Sequence, residues 1–174
     1  MARKSSSSVE SSGESSGEVA PVLGRIPSGA FILVVGDGNG RTTGMLASWV
    51  QQASFDPPQV TVAVNKSRFL TDWLSDDSPV TINQVPKPDA GLFKHFGRGF
   101  EPGVDAFSGV PTMPGENGLP LLTNSLASLE GIVADKLESG DHLIYLITIT
   151  SARSHQPLDS TEPYVHIRKN GLNY

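Results

Sequence analysis

Two tripeptides and one strand segment carry the residue types that can do chemistry in this chain. Asn65-Lys66-Ser67 follows an alternating apolar run and leads into Ser67–Leu74, which reads as a short helix. Helix N-terminal amides attract anions, Lys66 adds a point charge and Ser67 a hydroxyl, so this junction can hold a phosphate. The same residues also make an ordinary helix start with Ser67 as its cap. Arg68 is either a second phosphate cation or a solvated residue, and Ser54 on the neighbouring strand could reach the same anion. Gly140-Asp141-His142 sets an imidazole at a strand entry, where it can hydrogen-bond a bound molecule and respond near neutral pH. The plain alternative is a turn Asp followed by a strand-entry His. The third segment runs from Gly44 to Pro58. Its small Ala47 and Ser48 either pack a buried strand against a helix or let the backbone approach a ligand closely.

Other chemistries are excluded. The chain has no cysteine, so disulfides, iron–sulfur clusters, thiolate catalysis and cysteine zinc sites are out. No His pair has ligand-like spacing, so no metal site is expected. Gly36-Asp37-Gly38-Asn39-Gly40 lacks the Gly-Lys-Ser/Thr of a phosphate loop, and no G-x-S-x-G elbow exists. Asp76-Asp77 is a neighbouring pair at an exposed helix end. The net charge of −5 argues against a nucleic-acid surface, which needs clustered Lys and Arg. No apolar run approaches the roughly 18 residues of a membrane span, and no secretory signal is apparent, so a cytoplasmic protein is expected.

These segments must be positioned by a small β-rich fold. At 174 residues the length suits one domain. Residues 1–20 are rich in Ser, Glu and Gly, cannot offset their ordering entropy, and read as a disordered tail before a domain over 21–174. Ala30–Val35 reads as a strand, Gly36–Gly40 as a hairpin turn, and Arg41–Gln52 as one long second strand ended by Pro57-Pro58. Gln59–Asn65 alternates, with Val60, Val62 and Val64 on one face. Val80–Val85 is a further strand, and Pro88–Phe96 a second helix stopped by Gly97. Residues 97–120 form a long Gly/Pro loop of the kind that serves as a lid or partner contact. Leu121–Leu137, His142–Thr150 and Tyr164–Lys169 complete about six strands with two short helices, for which a closed or split barrel is a natural solution.

Taken in order, Gly44-Met45-Leu46-Ala47-Ser48-Trp49, Ser54-Phe55-Asp56-Pro57-Pro58, Asn65-Lys66-Ser67, Lys94–Phe100, Gly140-Asp141-His142 and Tyr164–Gly171 resemble the flavin reductase-like family of FMN-binding split barrels. The resemblance covers residues 24–174. It implies a mostly β, dimeric split barrel with short flanking helices, holding non-covalent FMN in a groove between subunits. It implies a cofactor site built from Met45, Leu46, Ala47, Ser48, Trp49, Ser54, Asn65, Lys66 and Ser67, with the phosphate and ribityl chain at Asn65–Ser67. An isoalloxazine edge needs main-chain partners at close range, which suits the small Ala47 and Ser48.

The implied activity is NAD(P)H-dependent flavin reduction, with NADH or NADPH as donor, His142 at the nicotinamide side, and oxygen, iron or a partner oxygenase as acceptor. The alternative is an FMN-binding electron carrier without its own nicotinamide site. A third is a dimeric barrel that has lost FMN, which the intact Ala47-Ser48 and Asn65–Ser67 segments oppose. Two positions depart from the family pattern: Leu46 stands where Thr is common, and Ile147 where Gly or Ala is common. A large side chain at 147 is expected to narrow the pocket or shift the nicotinamide site.

Overall fold

The computed structural model describes residues 14–89 and 91–173. Its contacts divide into two units: Ser28–Val165, and the residues up to Pro27 with those from His166 onward. In the larger unit seven strands form one antiparallel sheet: β1 (Phe31–Gly36), β2 (Thr42–Ala47), β3 (Val50–Phe55), β4 (Pro58–Asn65), β5 (Pro79–Gln84), β6 (Ala127–Ser139) and β7 (His142–Ser154). Their order is β2-β1-β5-β6-β7-β4-β3.

That order dictates the barrel. β2 and β3 are the two edges, yet only Ser48 and Trp49 join them. Three Cα steps reach at most about 11 Å. The edges of a flat seven-stranded sheet would lie roughly 29 Å apart at ~4.8 Å per strand. The sheet therefore rolls until its edges meet, leaving a seam between β2 and β3: a split barrel. The Ala63 N–H donates to the Trp49 carbonyl at 3.0 Å, carrying the β3–β4 ladder back to the point where the chain changes edge.

Both faces of the sheet are covered. Leu33, Val35, Met45, Ala47, Val60, Val62, Val64, Val133, Tyr145 and Ile147 fill the barrel interior. Ile32 and Val34 point the other way, into a layer of Leu92, Phe96, Ala106, Leu119 and Leu122. The unbroken FILVV run of β1 thus reads as a strand buried on two faces. Close approach explains Gly44, where a Cβ would sit 2.9 Å from the Phe96 ring.

Several expected elements are redrawn. The long strand over Arg41–Gln52 is two strands, because the chain changes edge at Ser48-Trp49. The first predicted helix is a 3-10 turn over Phe69–Trp73. The second shrinks to Leu92–Phe96, because Asp89 caps it by accepting the Leu92 and Phe93 N–H groups at 2.9 and 3.1 Å. The 97–120 loop covers the outer layer through Ala106 and Leu119 and holds a short strand, Thr112–Pro114, paired with Pro120–Leu122. Leu121–Leu137 is likewise cut, since the long strand begins only at Ala127. Tyr164–Lys169 is reduced to a two-residue strand at Val165–His166, and another two-residue strand, Glu162–Pro163, precedes it.

In the smaller unit, the reading of residues 1–20 as disordered differs at Glu14–Ala20, which belong to a helix over Glu14–Gly24. Gly171 N–H donates to the Ala20 carbonyl at 2.7 Å, and Arg168 N–H to the Gly24 carbonyl at 2.9 Å. The rest of the expected tail, residues 1–13, lies outside the described residues. Among the described residues no helix is long and apolar enough to cross a membrane.

Candidate functional site

Strand register joins the two tripeptides. β7 begins at His142, directly opposite Asn65 at the end of β4. The two-residue turn Gly140-Asp141 before it uses the positive φ of Gly140, 57°. Asp141 then faces the Asn65–Ser67 turn. Its Oδ2 accepts from Asn65 Nδ2 at 3.2 Å, and its carbonyl accepts the Lys66 N–H at 2.9 Å. Its Oδ1 accepts from His142 Nδ1 at 2.8 Å. The seam adds Trp49: the strand break presents its ring 4.7 Å from that of His142, tilted by 36°. The His142 side chain is only 8% exposed, while Trp49 keeps 36% of its surface.

Charge is concentrated here. The Lys66 ammonium donates to Glu138 Oε2 at 2.9 Å, with both side chains substantially exposed. Such a pair contributes little, so the ammonium can exchange that carboxylate for another anion. The hydrogen bond from Lys66, helped by its charge, holds the Glu138 carboxyl below its usual range. The hydrogen bond from His142 does the same for Asp141, against desolvation.

Not every expected residue joins the cluster. Asn65, Lys66, Trp49 and His142 do, and Ser67 adjoins it, but its part changes. The 3-10 turn has Arg68 as N-cap with no capping side chain, and Ser67 N–H is taken by Asn65 Oδ1 at 2.9 Å. The junction therefore offers an anion side chains, not helix amides. Arg68 Nη1 donates to the Arg98 carbonyl at 3.2 Å, pinning the start of the 97–120 segment. Met45 and Ala47 face the barrel interior, leaving only their main chain for a ligand. Leu46 packs on the outer layer. Ser48 lies beyond the β1–β2 ladder and before β3, outside both pairings. Ser54 sits opposite Gln59, at the far end of β4 from Asn65, roughly 20 Å along the strand at ~3.3 Å per residue. It does not reach the Lys66 turn within this chain. Ile147 is 1% exposed inside the barrel, between Val60 and Val133, so it does not narrow a pocket outside it.

Sequence reasoning missed Glu138 and the bridging part of Asp141. A hairpin drawn through Gly140-Asp141 would have found Glu138, since it places that residue opposite Leu143 beside the strand end that carries Asn65. Cavities of about 230 and 500 Å³ open beside the Gly36–Thr42 turn, and neither is lined by a residue of the His142 cluster. Among the described residues no group of three His, Asp or Glu side chains could hold a metal ion.

Known proteins share this domain and fold. The flavin reductase like domain matches residues 23–171. Diflavin flavoprotein A 1 of Synechocystis sp. is 39% identical over 158 residues, covering 90% of this chain and 27% of that protein. The chain thus spans about a quarter of the length of that relative. The NADH:FAD oxidoreductase SgcE6 of Streptomyces globisporus C-1027 superposes with a TM-score of 0.77 at 25% identity, over 94% of this chain and 95% of that one. The flavin reductase HpaC, solved with NADP+, shares the fold with a TM-score of 0.72 at 20% identity, over 85% of this chain and 90% of that one.

Proposed function

Because this chain belongs to the flavin reductase like domain family, we propose that it is an NAD(P)H:flavin reductase that binds FMN non-covalently and works as a homodimer. The observation that carries this reading is the junction of Asn65-Lys66-Ser67 with Trp49 and His142 at the barrel seam. The donor set fits the cofactor. An ammonium, a hydroxyl and an amide suit a phosphate ester with its polyol chain, and Ser48, outside both ladders, suits main-chain contact with a ring edge. When bound, flavin supplies the acceptor for a hydride from the nicotinamide.

The chain's own residues then bind and orient. Lys66 and Ser67 hold the phosphate, with Glu138 released from the ammonium. Trp49 and His142 would border the cofactor and exclude water from it. Hydride transfer needs no protein acid or base, so positioning is the main catalytic task. Oxygen, iron or a partner oxygenase receives the electrons. A groove completed by a second copy accounts for a site that lies open on one chain. It also accounts for the exposure of Phe55 (91%) and Leu137 (65%) on β3 and β6.

A second reading has one observation in its favour. A named relative more than three times as long contains this domain as a part, so nicotinamide oxidation could lie elsewhere and this domain could carry electrons only. FMN titration followed by absorbance tests the shared claim. Saturation near one flavin per chain supports both readings, and no binding at tens of micromolar removes both.

A further inference from the structure

We propose that Asp141 is the positioning residue of this site: it fixes the proton of His142 on Nδ1 and ties that imidazole to the Asn65–Ser67 turn. The consequence for a nucleotide rests on the reductase reading, whereas the placement of the proton rests on geometry alone. Asp141 Oδ1 is 2.8 Å from His142 Nδ1. A carboxylate only accepts, so Nδ1 carries the hydrogen. The same side chain accepts from Asn65 Nδ2 through its other oxygen at 3.2 Å, and Asn65 Oδ1 in turn accepts the Ser67 N–H at 2.9 Å. The Asp141 carbonyl takes the Lys66 N–H at 2.9 Å. One residue therefore spans the imidazole and the phosphate turn, while Trp49 restrains the ring from one face.

The tautomer has a chemical consequence. With Nδ1 protonated, the neutral ring offers Nε2 as an acceptor. Contact between His142 and a nicotinamide carboxamide would then use the amide N–H of the nucleotide. Asp141→Asn keeps the size of the side chain and its capacity to accept from Asn65. Its amide can also turn an N–H toward Nδ1, which moves the ring proton to Nε2 and reverses the polarity of that contact. The Asp141 side chain is 81% exposed, so the substitution disturbs no core.

The test has two readouts on the full chain. Long-range proton–nitrogen correlation spectra of the ligand-free protein, in alkaline buffer, report the His142 tautomer. The expected result is Nδ1–H in the parent and a shift toward Nε2–H in Asp141→Asn. A parent ring protonated on Nε2, or a ring unmoved by the substitution, overturns the proposal. Anaerobic flavin reduction by NADH and NADPH is the second readout. Asp141→Asn should slow it about tenfold or more, with FMN affinity changed less than about twofold. A shifted tautomer with an unchanged rate overturns the positioning role. If neither nucleotide reduces the flavin of the parent, the reductase reading fails, and the spectra alone decide the place of the proton.

Discussion

The ring of Trp49 lies 4.7 Å from that of His142, centroid to centroid, although the two residues come from a strand break and a central strand entry. This contact exists because β2 and β3 change sheet edge at Ser48-Trp49. A flavin held beside it should quench Trp49 fluorescence. The chain has two tryptophans, so Trp73→Phe isolates the signal. FMN titration of that variant is expected to quench most of the emission with the same midpoint as the absorbance change. Undiminished emission at saturation would place the flavin elsewhere.

Lys66 and Ser67 are assigned to the phosphate alone. Lys66→Ala with Ser67→Ala should weaken FMN by roughly tenfold or more, from the loss of about 1.5–3 kcal/mol of charged hydrogen bonding, and leave riboflavin unaffected. Glu138→Gln should shift FMN the other way by a few-fold at most, because it frees the ammonium from an exposed pair. Paired isothermal titrations with FMN and riboflavin measure both. Equal losses for the two ligands would refute the assignment.

Ile147 separates a packing role from a pocket role. It is buried with Val60, Val133 and Tyr145. Ile147→Ala should cost about 2–5 kcal/mol of stability through the cavity it leaves. Denaturant unfolding reads this directly. A stability loss below about 1 kcal/mol, or nicotinamide turnover gained by the smaller side chain, would return Ile147 to the pocket wall.

The pH dependence of stability should carry a signature of His155. Its Nε2 lies 2.8 Å from Ser128 Oγ, which donates to Asn83 Oδ1 at 2.7 Å, so Nε2 is the donor in the first contact. Burial, and secondarily the charge of Arg153, holds its pKa below the ordinary 6.5. The unfolded chain therefore takes up a proton before the folded one does. Stability should fall as pH drops through about 6.5 and level off below the folded value. His155→Gln, whose amide can still donate to Ser128, should flatten part of that slope. His166, lowered by burial and then by Arg168, keeps the remainder. An identical slope in melting temperature between pH 7 and 5 would contradict this.

The expected tail divides at Glu14. Deleting residues 1–13 should leave the melting temperature and FMN content unchanged, since their Ser-rich composition holds almost no large apolar side chains. Deleting through Ala20 removes the acceptor for Gly171 N–H and should lower the melting temperature. Equal behaviour of the two truncations would show that this contact contributes nothing.

What was legible follows from physics that acts over short range. Val60, Val62 and Val64 alternate, so their strand and its buried face were readable, and Gly140-Asp141 was readable as a turn leading into the strand that opens at His142. The change of sheet edge at Ser48-Trp49 was not readable, because it is set by closure of the whole barrel and leaves no local breaker in GMLASWV. Ser67 looked like a cap because Ser caps helices. Its amide is instead held by Asn65, itself oriented from across the sheet by Asp141. Ile147 was assigned to the pocket from its place in a motif, whereas strand parity sends it into the barrel with Val133 and Val60.

The central claim is reduction of a bound flavin by a nicotinamide at the His142 side of the seam. Anaerobic stopped-flow mixing of the FMN-loaded protein with NADH or NADPH tests it most directly. The account predicts bleaching of the flavin absorbance by at least one nucleotide, slowed about tenfold or more in His142→Ala at unchanged FMN content. Flavin bleached by dithionite but by neither nucleotide, or bleached at equal rates in the parent and in His142→Ala, would contradict it.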